Sequence, residues 1–273
     1  MPVIELFPFV SAAVMLFFTI YVLQRFAVRR TPNFLFWGIG LAMFTAGSFA
    51  EAYLALAWNR WAFFVWYLFG AALNAAWIGH GTLYLLWRKK WVNVVTGILV
   101  VASLFAAYVM LQAMPTLDEG VFTTSNPVSV QYGSSILQAG QPLPAGAQTK
   151  TETIQGKLVT VVRGLLPPGA PVRMTTPFFN IYGLLTLVGG AIYSAFLFWR
   201  KRVLPNRVIG NVLIAAGALS IGFASVLTRL GNGRFLYLGE LLAAVLMFAG
   251  FLTAGQPQPQ ERTSPQRAAR TAN

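Results

Sequence analysis

Three ionisable side chains, Glu51, His80 and Glu240, lie inside apolar runs of this sequence. A charge in hydrocarbon costs at least about 2.5 kcal/mol, so each needs a partner or a task. Paired glutamates suit acid–base work when their surroundings separate their ionisation. No nucleophile is spaced beside them, so acyl transfer and hydrolysis lack a starting group. His80 is the single histidine, and there is no cysteine. Catalytic and structural metal sites draw on three or four such ligands, so neither a metal nor a cofactor is expected. A neutral His80 imidazole bonded to Tyr84, one turn on, is the expected arrangement.

Counting 1.5 Å per residue puts Glu51 about 9 Å and Glu240 about 8 Å below the same membrane face. Arg229 borders that layer, and its long stem can reach down into it. Tyr67, Asn180, Tyr182 and Tyr237 fall at the same depth. The expectation is an outward-facing polar pocket built from Glu51, Tyr67, Asn180, Arg229, Tyr237 and Glu240, open to a small-molecule ligand. The competing expectation is an ion pair of Arg229 with Glu240 or Glu51 that only locks helices together. A second polar stripe, Asn74, Trp77, His80 and Tyr84, belongs to one helix and must face the bundle, because lipid solvates Asn74 poorly. It either extends the pocket inward or bonds across to a neighbouring helix.

The elements that carry these residues are seven apolar runs, near 3–28, 34–57, 62–87, 91–113, 177–199, 208–227 and 235–254. About 20 residues at 1.5 Å each span a hydrocarbon core of about 30 Å. The fold class is therefore an all-α, polytopic seven-transmembrane bundle. Charged residues make up 10% of the chain and hydrophobic ones 56%, far from the soluble norm of about a quarter charged. The net charge of +13 does not point to nucleic acid, because the basic residues flank apolar spans and form no basic helix face.

Those basic residues set an orientation. Arg25, Arg29, Arg30, Arg88, Lys89, Lys90, Arg200, Lys201, Arg202, Arg207, Arg262, Arg267 and Arg270 share one side. Only Arg60, Arg229 and Arg234 flank short turns on the other, and the long connection there crosses largely regardless of charge. The N-terminus is expected outside and the C-terminus in the cytoplasm of a cell-membrane protein. The first run lacks a basic leader and is too long for a signal-peptide core, so it is expected to remain.

Residues 1–113 carry helices 1–4, 114–176 an extracytoplasmic cap, 177–254 helices 5–7, and 255–273 a Pro/Gln/Arg-rich tail expected to be disordered. Alternation at 128–132 and 157–163 predicts strands, hence a small β-hairpin cap. Pro177 is expected to open helix 5, where its missing N–H is harmless. Small residues four apart, Ala71, Ala75 and Gly79 or Gly190 and Ser194, predict close helix packing.

One ungapped shift superposes Arg29 on Arg202, Pro32 on Pro205, Asn33 on Asn206, Asn59 on Asn232 and Tyr67 on Glu240. This predicts two parallel three-helix repeats joined by helix 4. The resulting 3+1+3 plan, N-terminus outside, resembles those of SWEET sugar transporters and microbial rhodopsins. The last helix holds no lysine, so it cannot form a retinal Schiff base, and the paired prolines lie in connections rather than inside helices. The reading is a non-catalytic receptor or sensor, or a subunit of a larger membrane complex, with a small-solute transporter as the alternative and an intramembrane enzyme ranked behind both. Partners are the bilayer, a small molecule on the outer side and another membrane protein, with no nucleic acid.

Overall fold

The computed structural model describes residues 6–87, 90–136, 148–154, 157–167, 169–201, 204–229 and 234–256. Seven helices are long and apolar enough to cross a membrane, and the chain is a multi-pass membrane protein. They are α1 (Phe7–Arg29), α2 (Pro32–Leu54), α3 (Arg60–Leu86), α4 (Lys90–Ala113), α5 (Pro171–Arg200), α6 (Pro205–Arg229) and α7 (Arg234–Ala254). The expected tail lies almost wholly outside the described residues.

Local chemistry marks the ends. Pro32 sits in the first turn of α2, where its fixed φ is preorganised for a helix. Asn59 caps α3, its Oδ1 accepting from the N–H groups of Trp61 at 2.8 Å and Ala62 at 3.0 Å. That satisfies two of the four donors a helix start leaves free. The α5 start differs from expectation. It falls at Pro171, so Pro177 lies inside the helix, where it leaves the Arg173 carbonyl without its i+4 donor. Pro171 already provides the start, and Val172 anchors it by complete burial.

In sequence of contact, α1, α2, α3, α5, α6 and α7 form a closed ring, with α4 outside it against α3 and α5. Lipid tails are as apolar as leucine, so helix association relies on close packing and interhelical hydrogen bonds. Both are present. A Cβ at Gly47 would collide with the Gly70 Cα, and one at Gly183 would stand 2.6 Å from the Ala75 backbone. Thus the small-residue stripe of α3 does pack against α5. The peripheral α4 is held by a polar seam. Trp77 Nε1 donates to Ser103 Oγ at 3.1 Å, His80 Nε2 meets Thr96 Oγ1 at 2.8 Å, and Tyr84 donates to Asn93 Oδ1 at 2.7 Å. Its other face, including Val94, Ile98, Val101 and Leu104, is exposed, as a lipid-facing surface must be.

The connection between α4 and α5 packs onto the ends of the bundle. Leu165 and Leu166 are fully buried against Phe63, Trp66, Met110 and Met114, each contributing roughly 1.5–3 kcal/mol where water is the alternative. Arg163 clasps Asp118 with Nε and Nη2 at 2.7–2.9 Å, and Arg60 at the start of α3 pairs with Glu119. Strands β2 (Thr149–Ile154) and β3 (Lys157–Val162) form an antiparallel hairpin, and the two-residue β1 (Ser135–Ile136) adds to β3, giving the order β1-β3-β2. The predicted strand at 128–132 is instead a helical turn, Val128–Gln131. Pro127 precedes it, Val128 is buried, and the Gln131 amide bonds the Thr123 and Asn126 carbonyls. A side chain thus does the work that a strand partner would have done.

Candidate functional site

Between α3, α5, α6 and α7, on the side that carries the α4–α5 connection, lies a cavity of about 590 Å³. Phe44 of α2 reaches its wall, and Ser129 and Tyr132 of the connection line it from that side. Its polar lining includes Tyr67, Asn74, Arg173, Asn180, Ser225 and Glu240. The remainder is mostly apolar, including Ile78, Leu187, Ile221 and Met247. A concave, largely apolar chamber with a few convergent polar groups is the usual form of a small-molecule site.

Two of its walls are irregular helix. Trp66–Leu73 in α3 and Leu184–Val188 in α5 are π-helical, a geometry often found at functional sites. Widening the turn changes which carbonyls the backbone can satisfy, and side chains intervene. Asn74 Nδ2 donates to the Gly70 carbonyl at 2.8 Å, and Asn180 Nδ2 crosses from α5 to the Ala71 carbonyl at 3.3 Å. Asn74 therefore bonds within its own helix, not across to a neighbour. The residue that crosses is Asn180.

Nearer the connection, Tyr67 OH meets Thr176 Oγ1 at 3.1 Å. The Arg173 guanidinium lies 5.9 Å from the Tyr132 ring and donates to the Ser134 carbonyl. In the sequence both Arg173 and Tyr132 belong to the cap and carry no pocket signal. The early start of α5 is what brings Arg173 onto the chamber.

Glu51 and Glu240 come together. Glu51 on α2 is buried to 1% exposure. Its carboxyl lies within interaction distance of the Glu240 carboxyl on α7, and the Trp66 indole approaches it. Oε1 of Glu51 and Oε2 of Glu240 are both buried without a hydrogen-bond partner. Glu240 opens onto the chamber, whereas Glu51 and the buried Tyr237 stand behind its wall. The Arg229 side chain, and with it the expected ion pair, lies outside the described residues.

The α3 stripe divides between two neighbours. Tyr67 and Asn74 face the chamber, while Trp77, His80 and Tyr84 face α4. Both His80 nitrogens are occupied, Nδ1 by Tyr182 OH at 2.7 Å and Nε2 by Thr96 at 2.8 Å. Tyr84 does not bond His80 as expected. It packs edge-on against the imidazole at 5.2 Å and bonds Thr96 and Asn93 instead. The two imidazole nitrogens are taken instead by partners on α4 and α5. Among the described residues no three His, Cys, Asp or Glu side chains group together.

Comparison with protein-family models, with curated proteins and with solved structures finds no match. The assignment of function rests on the chamber itself.

Proposed function

We propose that the protein is a non-catalytic receptor, or the ligand-binding subunit of a larger membrane complex, that takes a small organic molecule into this chamber from the extracytoplasmic side. The observation that supports the reading is the chamber's position. It lies between the first three and last three helices, with polar groups at several depths and the α4–α5 connection over it. The basic residues that flank the opposite face support, by the positive-inside rule, a chamber on the outside and a C-terminus in the cytoplasm. The 3+1+3 plan draws support from α4, which stands apart from the ring formed by the other helices. Its apolar outer face suits lipid or a partner's helix. Among the described residues no hydroxyl is hydrogen-bonded to either unpaired carboxyl oxygen, so catalysis is not part of the proposal.

Transport of a small solute is the second reading, favoured by the π-helical segments on two walls. Such segments are rare inside α-helices and occur frequently at functional sites. One pair of measurements decides. Native mass spectrometry of the purified protein is expected to reveal a bound small molecule that Gly222→Trp excludes, since a side chain at Gly222 would meet only open space. Retention of that molecule unchanged in Gly222→Trp would remove the chamber as its site. Accumulation of the same molecule by proteoliposomes would replace the receptor with the transporter.

A further inference from the structure

We propose that Glu51 and Glu240, with the hydroxyls of Ser11 and Ser48, form a site for a small hard metal cation beside the chamber. The site is separate from the organic-ligand reading and does not depend on it.

Four buried side-chain oxygens lack a hydrogen-bond partner in this part of the bundle: Ser11 Oγ, Ser48 Oγ, Glu51 Oε1 and Glu240 Oε2. Ser11, Ser48 and Glu51 are 0%, 2% and 1% exposed. Buried polar atoms are nearly always paired, and a cluster of exceptions calls for an ion or water.

Register places them in one region. Thr19 Oγ1 bonds Thr45 Oγ1 at 2.8 Å, tying α1 to α2, and the Phe18 and Phe248 rings stack at 5.1 Å, tying α1 to α7. From these ties toward the chamber side, Ser11 is about two turns along α1 and Glu240 about two turns along α7. On α2, which runs the opposite way, Ser48 is about one turn along and Glu51 nearly two. Ser11, Glu51 and Glu240 thus share a depth, with Ser48 about a turn below them, and the faces agree. Met15, Phe44, Ala243, Ala244 and Met247 belong to one core cluster. Ser11 lies one helical turn beyond Met15, Ser48 and Glu51 lie one and two turns beyond Phe44, and Glu240 lies one turn beyond Ala244, all toward the chamber side. The four oxygens thus crown a single apolar core.

The chemistry selects the ligand. Two adjacent carboxyls in hydrocarbon cannot both ionise on their own: they share a proton until a cation takes its place between them. Among the described residues no basic side chain pairs with either. The free donors are all oxygen, which suits hard cations such as Na⁺ or Ca²⁺ rather than Zn²⁺ or Cu⁺. Trp66 approaches Glu51 and leaves Oε1 free. Glu240 opens onto the chamber, so a hydrated ion has a route in and can keep waters on its open side.

Thermal unfolding of the full chain in detergent tests the site, with choline chloride replaced at constant ionic strength by NaCl, KCl, MgCl₂ or CaCl₂. The expected result is a saturable rise in midpoint with at least one metal ion. Glu51→Gln and Glu240→Gln should abolish it. Ser48→Ala and Ser11→Ala, which remove one neutral oxygen each, should keep the fold and raise the half-saturating concentration. Equilibrium binding of radiolabelled Na⁺ or Ca²⁺ gives the same reading where a glutamine variant unfolds early. Absence of any shift beyond choline, or an equal shift in all four variants, overturns the proposal. So does a destabilised Arg229→Ala variant together with a parent that no metal ion stabilises, which would make Arg229 the counter-ion.

Discussion

Asn180 on α5 donates to the Ala71 carbonyl on α3 at 3.3 Å, so a single amide ties together the two irregular walls of the chamber. The carbonyl it meets lies in the π-helical stretch of α3, where the regular backbone pattern is interrupted. Asn180→Ala is expected to lower stability by about 0.6–1.5 kcal/mol, the range of interhelical hydrogen bonds in membranes. Unfolding in mixed detergent micelles measures it. Asn180→Asp, which keeps the size but loses the donor, should behave like the alanine.

Packing on the same interface sets a sharper contrast between two glycines of α5. A side chain at Gly183 meets the Ala75 backbone at 2.6 Å, whereas one at Gly189 meets nothing. Gly183→Leu should push α3 and α5 apart and cost about 1–3 kcal/mol or more. Gly189→Ala should be neutral or stabilise by up to about 1 kcal/mol, since alanine is the better helix former. Equal midpoints for the two variants would contradict the close approach.

The polar seam gives α4 a distinct vulnerability. Replacing His80 by Leu strands Tyr182 OH and weakens the tie to Thr96. The expected loss is about 1 kcal/mol, because the partners left behind are only half-buried. Hydrogen exchange should rise first in α4, ahead of the ring of helices. His80→Gln, which retains donor and acceptor, should recover part of the loss.

Acid should loosen the cap before the bundle. Arg60 beside Glu119 holds its carboxyl below the usual glutamate range. With the folded value depressed, this contact contributes fully above the unfolded pKa and fades as pH falls through the folded one. The pair is solvent-exposed, so the effect is small. Limited proteolysis of the hairpin should quicken on acidification in the parent, and Glu119→Gln should show the faster rate already at neutral pH. Asp118→Asn, which breaks the Arg163 clasp, should expose the hairpin at every pH.

The polar layer was legible in part because depth is additive along a helix. Glu51, Tyr67, Asn180 and Glu240 each sit a computable rise from a helix end, and the structure gathers them in and behind one chamber wall. Direction around the axis is not additive in the same way. The π-helical stretch in α3 shifts Tyr67 in phase against the residues beyond it, while Asn74 and His80, both beyond it, are six residues or about 240° apart and so face different neighbours. Ser11 and Ser48 had no signal at all. Serine in a membrane helix ordinarily bonds the carbonyl one turn back, and only packing shows that these two do not.

Sequence alone determined that the chain crosses a membrane as seven helices, because spanning depends on the length and apolarity of a run and on nothing outside it. It also determined that β3 is a strand, since alternation is local. Tertiary structure alone decided that α4 stands outside the ring, that α5 starts at Pro171, that 128–131 is helical and that the two glutamates meet. In a bilayer every apolar face is equally content against lipid, so the pattern that buries a helix does not name its neighbour. That choice falls to close approaches of glycine and to scattered hydrogen bonds, and these exist only once the helices are side by side.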